Sequence, residues 1–118
     1  MAHQIDKTAL VMHSAERMFH LVNDIARYPE FLPWCAGAEV HEQTDAEIMA
    51  SLEIAKGGVR HRLTTRNQLL MPEAIEMSLV DGPLKNLRGR WHFKALNEQA
   101  CKVILTLEFE FSGSLSRM

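Results

Sequence analysis

Hydrophobic and polar residues alternate along most of the chain, which is the pattern of half-buried β-strands. From residue 38 onward, runs of about six to twelve residues lie between short stretches rich in Gly, Pro, Asn and Asp. These turn-forming stretches are residues 43–45, 56–58, 71–73, 81–83 and 97–99. A further strand is predicted over residues 4–11. The pattern predicts an antiparallel meander of six or seven strands.

The alternation also assigns side chains to two faces of the predicted sheet, since neighbouring residues of a strand point in opposite directions. One face is apolar and aromatic, while the other is basic and is diluted by glutamates. The apolar face includes Leu52, Leu63, Met77, Leu79, Leu87, Gly89, Trp91, Phe93, Leu105 and Phe109. The basic face carries Arg60, Arg62, Arg66, Arg88, Arg90, His92 and Lys94.

One helix is predicted after the first strand. Ser14 is suited to the N-cap, and Ala15, Met18, Phe19, Val22 and Ile25 recur at helical spacing. The helix is expected to stop before Pro29, because proline disfavours the helical conformation of the residue that precedes it. A single short helix cannot cover a sheet of this size, and an apolar sheet face must pack against something.

Composition places the chain among ordinary globular proteins. Its 118 residues suit one domain, and 47% of them are hydrophobic and 24% charged. The net charge of −2 means that any attraction to polyanions must come from a local patch rather than from the whole molecule. We expect no signal or transit peptide and no membrane span in this sequence. Two cysteines, far apart in the sequence, suit a reducing compartment.

Catalytic chemistry is not apparent in the sequence. The apolar face offers His61, Thr65 and Asn67 but no carboxylate, whereas acid–base catalysis needs titratable groups gathered together. No nucleophile elbow or phosphate-binding loop is present. The six histidines have no metal-ligand spacing. We therefore predict neither an enzyme nor a metal site, and we interpret His61 as a half-buried, hydrogen-bonded residue.

Three segments resemble a known family in their order and spacing. They are YPEFLPWC at 28–35, TTR at 64–66 and DGPLKNLRGRWHF at 81–93. In these segments the chain resembles the coenzyme Q-binding START-like family. The resemblance implies an α+β helix-grip fold, in which a bent antiparallel sheet wraps a long C-terminal helix around a cavity for an apolar ligand.

The resemblance also implies a function, namely non-enzymatic binding of an isoprenoid quinone (ubiquinone) or a similar lipid in support of respiration. The ubiquinone would be a bound ligand and not a catalytic cofactor. By position in the family motif, Phe31, Leu32 and Trp34 would lie at the cavity mouth, and Trp91 and Phe93 would line it. The other expected ligand-binding residues are Leu52, Leu63, Met77, Leu79, Leu105 and Phe109. From the residues alone, an ordinary hydrophobic core explains the same set.

A second function follows from bacterial members of the family that inhibit translation. Such a protein would bind the large ribosomal subunit and block its association with the small subunit. The expected polyanion-binding residues are Arg60, Arg62, Arg66, Arg88, Arg90 and Lys94. Ordinary solvation of the sheet's outer face explains these residues equally well, so both interpretations stay open.

The sequence departs from the family pattern at its end. Family members continue into a helix, whereas this chain ends FSGSLSRM at 111–118. We therefore expect a single START-like domain over 1–118 that lacks the C-terminal helix. A sheet left uncovered in this way would favour self-association. The expected location is the bacterial cytoplasm, with peripheral contact with the inner membrane as a further expectation.

Overall fold

The computed structural model describes residues 2–30, 32–33, 35–56 and 58–111. These residues form seven strands, one α-helix and one 3-10 segment. In chain order they are β1 (Ala2–Val11), α1 (Ala15–Asn23), the 3-10 segment η1 (Ile25–Glu30), β2 (Cys35–Gln43), β3 (Glu47–Lys56), β4 (Val59–Leu70), β5 (Ala74–Asp81), β6 (Leu84–Asn97) and β7 (Ala100–Phe111).

All seven strands belong to one curved antiparallel sheet, in the order β1-β7-β6-β5-β4-β3-β2. Consecutive strands from β2 to β7 are neighbours, as a meander requires, and β1 joins the far edge by pairing with β7. Each predicted turn lies between two observed strands. The α+β helix-grip prediction is confirmed, and no long C-terminal helix is found among the residues that the structure describes.

Helix α1 begins as the sequence predicts but ends earlier. The backbone N–H of Arg17 donates to Ser14 Oγ at 3.1 Å, so Ser14 is the N-cap. The helix ends at Asn23 because Asp24 adopts φ −85° and ψ 65°, outside the helical region. The helix therefore stops before Pro29, as expected, but the placement of Ile25 on the apolar stripe of this helix is wrong. Ile25 lies in η1, which itself contains Pro29.

Two hydrophobic clusters hold the helical segments against one face of the sheet. Ala15 and Phe19 of α1 pack with Phe93 and other buried residues of β5, β6 and β7. Ile25 of η1 packs with Ile48 and Ala50 of β3. We call the face that these segments contact the inner face and the opposite one the outer face. The two clusters cover parts of the inner face and leave its remaining apolar side chains partly exposed.

Candidate functional site

The strand register places the predicted ligand-binding residues of the sheet together on the inner face. Residues that are directly opposite each other in an antiparallel pair share a face. The relevant pairs are Leu52–Leu63, Thr65–Leu79, Asn67–Met77, Trp91–Leu105, Phe93–Val103 and Leu87–Phe109. The face assignment made from the alternation is therefore confirmed, because Phe93 packs against α1.

These residues differ in how deeply they are buried. Phe93 is 1% exposed and meets Phe19 edge to face, with ring centroids 6.1 Å apart. Trp91 is half-buried and stacks on Phe93 at 6.3 Å. The remaining inner-face residues of the predicted set are likewise half-buried; they are Leu52, Leu63, Met77, Leu79, Leu105 and Phe109. Phe93 is thus part of the core under α1, whereas the others present apolar surface that a ligand could contact.

The predicted mouth of the cavity is described only in part. Leu32 is half-buried, and its backbone N–H donates to the carbonyl of Tyr28 at 2.9 Å. Phe31 and Trp34 lie outside the described residues. The ligand-binding role of the whole set stays a prediction.

Gly89 shapes the inner face at the centre of the motif in residues 81–93. A β-carbon at this position would lie 2.8 Å from Leu107 Cδ1 and 2.8 Å from Met77 Cε. The side chains of the two flanking strands therefore close over the glycine and fill the space that its missing side chain leaves. Sequence reasoning placed Gly89 on this face but gave no reason for a glycine there.

A small polar group interrupts the apolar surface on β4. Thr65 Oγ1 donates to Asn67 Oδ1 at 3.1 Å. Asn67 is only 6% exposed, while Thr65 and His61 on the same strand are half-buried. Buried side-chain amides normally have hydrogen-bond partners. Asn67 is unusual on this face because the only hydrogen bond of its side chain among the described residues is the one from Thr65 to its oxygen.

The predicted polyanion-binding residues are all exposed, and the register places them on the outer face. Most of the arginines already have acidic partners, which lie on an adjacent strand or, for Arg62, two strands away on β2. The pairs are Arg60–Glu53 at 3.9 Å, Arg62–Glu39 at 2.9 Å, Arg66–Glu47 at 2.6 Å and Arg90–Glu76 at 3.4 Å. The outer face therefore carries arginines and glutamates in ion pairs and is not a purely basic surface.

Lys94 has different surroundings. Its direct cross-strand neighbour is Lys102, and within the described part of the chain neither lysine forms an ion pair. Two like charges in this position repel each other. The polyanion-binding role of the basic set is not tested by this geometry and stays a prediction.

A hydrogen-bonded cluster on the outer face was missed by sequence reasoning. Ser51 is 1% exposed, and its Oγ lies 2.7 Å from His41 Nε2 and 2.6 Å from Thr64 Oγ1. Beside it, the hydrogen bond from Arg62 holds the pKa of Glu39 below its ordinary value, with a further contribution from His41. Glu39 and Ser51 are cross-strand neighbours, so pairing the predicted strands could have brought this cluster together.

Two further properties bear on function. Over residues 2–30, 32–33, 35–56 and 58–111, no group of His, Cys, Asp and Glu side chains is arranged to hold a metal ion. In the same ranges, no helix is both long and apolar enough to cross a membrane.

Known proteins resemble this chain along most of its length. The ribosome association toxin RatA of Vibrio cholerae is 57% identical over 112 residues, which cover 95% of this chain and 78% of that protein. RatA of Pseudomonas aeruginosa is 47% identical over 115 residues, covering 98% of this chain and 80% of the relative. A more distant relative is the mitochondrial coenzyme Q-binding protein COQ10 of Drosophila melanogaster, 27% identical over 92% of this chain and 47% of its own length.

Solved structures share the fold at low sequence identity. The Zhui aromatase/cyclase from Streptomyces sp. R1128 superposes with a TM-score of 0.86 at 18% identity, covering 96% of this chain and 70% of that one. A START superfamily protein from Mycobacterium smegmatis gives 0.82 at 19% identity, covering 98% and 84%. The sequence profile of the family described as polyketide cyclase / dehydrase and lipid transport matches residues 11–118. The resemblance to START-like proteins is thereby confirmed, and the chain belongs to the polyketide cyclase / dehydrase and lipid transport family.

Proposed function

We propose that this protein is a ribosome-association factor that binds the large ribosomal subunit and blocks its association with the small one. The observation that carries the proposal is the 57% identity to the ribosome association toxin RatA of Vibrio cholerae over 95% of the chain. Identity this high over nearly the whole chain supports a shared function better than similarity of fold alone, because one fold serves many functions.

The outer face is the proposed docking surface. Four of its arginines are held in exposed ion pairs, namely Arg60, Arg62, Arg66 and Arg90. Such pairs contribute only about 0–1 kcal/mol each. Ribosomal RNA phosphates could therefore take the place of the glutamates at little cost. Lys94 and Lys102 need no exchange at all, since neither forms an ion pair among the described residues, and a bound phosphate would relieve their repulsion.

Co-sedimentation with purified large subunits at several salt concentrations tests this proposal. Charge reversal of Lys94 and Lys102 to Glu should weaken binding and reduce the salt dependence by roughly one unit of log–log slope per lost phosphate contact. The matched control is Arg27→Glu, an exposed cation of η1 that lies away from the outer face. Equal binding by wild type and the double variant would remove this surface as the docking site.

A second candidate function is non-enzymatic binding of a hydrophobic molecule, such as an isoprenoid quinone, on the inner face. Half-buried apolar side chains from β3 to β7 support it, as does the 27% identity to a coenzyme Q-binding protein. A binding role rather than catalysis is supported by the composition of this face, where Asn67 and Thr65 accompany leucines, Met77 and Trp91 and no carboxylate is opposite them in register. The two functions use opposite faces and are compatible in one molecule.

Solvent extraction of the purified protein tests the second function through a co-purified quinone. Met77→Gln should weaken quinone binding more than it lowers the free energy of unfolding, if Met77 contacts the ligand. Chemical denaturation measured beside ligand titration separates the two effects. Proportional losses of binding and stability would show that Met77 only packs in the core.

A further inference from the structure

Asn67 is a buried amide in apolar surroundings on the inner face. It is opposite Ile48 on one side and Met77 on the other. Ile48 is 1% exposed, and Asn67 itself is 6% exposed. An amide in such a place loses most of its water contacts, which costs free energy unless protein or ligand groups replace them.

The contacts of Asn67 satisfy only one end of its amide. Its Oδ1 accepts a hydrogen bond from the Thr65 hydroxyl at 3.1 Å. Among the described residues, no group accepts a hydrogen bond from Nδ2, and this nitrogen keeps some contact with solvent. The Thr65 hydroxyl thus orients the amide. Its hydrogen bond keeps the amide oxygen turned toward Thr65 and leaves the N–H donors of Nδ2 for another partner.

We propose that Nδ2 of Asn67 donates a hydrogen bond to a carbonyl oxygen of an uncharged, otherwise apolar ligand bound on the inner face. This inference rests on the proposed binding of a hydrophobic molecule and adds the chemical feature by which that ligand is selected. The partner must be an acceptor because an amide nitrogen only donates. It is uncharged because the neighbours of Asn67, namely Ile48, Met77 and Thr65, offer no charge to balance an ion.

The contribution of the carbonyl oxygen to binding can be measured with two probes that have the same alkyl tail and differ in whether they carry a carbonyl. Decyl-substituted benzoquinone carries acceptor oxygens, and decylbenzene carries none. Wild-type protein should bind the quinone about tenfold more tightly than decylbenzene, since one hydrogen bond to a buried donor is worth roughly 1–1.5 kcal/mol. Asn67→Leu should lower quinone affinity about tenfold and leave decylbenzene affinity nearly unchanged. The matched control is Gln68→Leu, which removes an exposed amide from the adjacent position on the outer face.

Thr65→Val tests the orienting role of Thr65. This variant should retain decylbenzene binding and lose part of the preference for quinone. In wild-type protein, NMR of the Asn67 side-chain amide needs no substitution, so it is independent of any folding defect of the variants. Its proton resonances should shift when the quinone is added and stay in place with decylbenzene.

The outcomes separate the two levels of the proposal. If wild type binds neither probe, ligand binding on the inner face fails. If wild type binds both probes with equal affinity, and the Asn67 resonances do not respond to the quinone, the apolar site stands and the role assigned to Asn67 is wrong.

Discussion

The two faces of the sheet are built from the same strands but are stabilised by different forces. Along β6, Arg88 and Arg90 point outward, whereas Trp91 and Phe93 point inward. Inward positions gain free energy from apolar burial, at about 25 cal/mol per Å². Outward positions exchange water for ion pairs of little net value. Substitutions on the inner face should therefore change stability, whereas the outer face can change its charges and retain the fold.

The inner face itself has two zones. Under α1 and η1 the side chains of Phe93 and Ile48 are only 1% exposed. Beyond these segments Leu63, Leu79 and Leu105 are half-buried. The first zone supplies stability, and the second supplies apolar surface that a ligand can use. This difference explains why the stability effects expected below are concentrated under the helical segments.

Phe93→Ala should have the largest effect on the free energy of unfolding. Truncating a buried phenylalanine typically costs about 3–5 kcal/mol, because contacts are lost and a cavity remains. Lys94→Ala, one residue away on the outer face, should change stability by less than about 0.5 kcal/mol. Urea denaturation of both variants checks this contrast. Similar losses at the two positions would contradict the division into faces.

Gly89→Val should be the next most damaging change, with a cost of about 1–3 kcal/mol from overpacking. The valine methyl groups would collide with Met77 and Leu107, which already approach the position of an added β-carbon. Adding Met77→Ala to Gly89→Val should recover part of the loss, because the shorter alanine leaves room for the valine methyl groups. A double-mutant cycle by thermal or chemical unfolding measures this coupling, and purely additive effects would argue against the proposed contact.

Tyr28 provides a test at high pH. Burial, together with Asp24 and Cys35, raises the pKa of its hydroxyl to about 12, and the hydroxyl donates to the carbonyl of Val22. The unfolded chain releases this proton near pH 10 and the folded chain only near pH 12. Stability should therefore fall by about 1–2 kcal/mol across that window. Tyr28 is the only tyrosine, so absorbance at 295 nm follows its titration directly.

The expected fall of stability with pH comes from ionisation of the Tyr28 hydroxyl, and Tyr28→Phe provides the control. Phenylalanine cannot ionise, so the variant should lose the part of the pH dependence that lies between pH 10 and 12. It should also be somewhat less stable at neutral pH, because the hydrogen bond to Val22 is lost. An absorbance titration of folded protein with its midpoint near pH 10 would refute the burial effect.

Glu39 should give the smallest effect, and at low pH. Its pKa lies below the ordinary value of about 4.5 because Arg62 donates a hydrogen bond to the carboxylate. The contribution to stability is present above that ordinary value and is lost as the pH falls through the lower pKa of the folded state. Glu39→Gln should flatten the stability curve slightly below the ordinary carboxyl value of about 4.5, relative to Glu73→Gln. High salt should reduce the difference.

The sequence alone predicted where the strands lie and which face of the sheet each side chain occupies, because both depend on local alternation and on turn residues. It predicted every strand from β2 to β7 and the shared inward direction of Met77, Trp91 and Phe109. The break in the first helix was not predictable in this way, since Ile25 continues the apolar spacing across Asp24. The bend shows in the backbone angles of Asp24, whose N–H donates to the carbonyl of Leu21.

The ion pairs of the outer face could not be predicted without knowing how the strands pair. Arg62 and Arg66 are basic in the sequence, but their partners Glu39 and Glu47 are about 20 residues away along the chain. Burial of Asn67 likewise depends on what lies on β3 and β5. A side chain's face follows from its own strand, whereas its partners follow from its neighbours in the sheet, and those require the register.

The pairing of β1 with β7 affects how the chain is assembled during synthesis. Ala2 is opposite Glu110 and Val11 is opposite Cys101, so the first strand waits for about 90 residues of translation before its partner exists. Strands β2 to β6 can form hairpins as they emerge, but the edge of β6 stays unpaired until β7 arrives. Long-range pairing of this kind slows folding and lengthens the interval in which exposed strands can associate with other chains. The nascent protein therefore depends on β7 to pair with both β6 and β1, and chaperone protection is most valuable just before that strand appears.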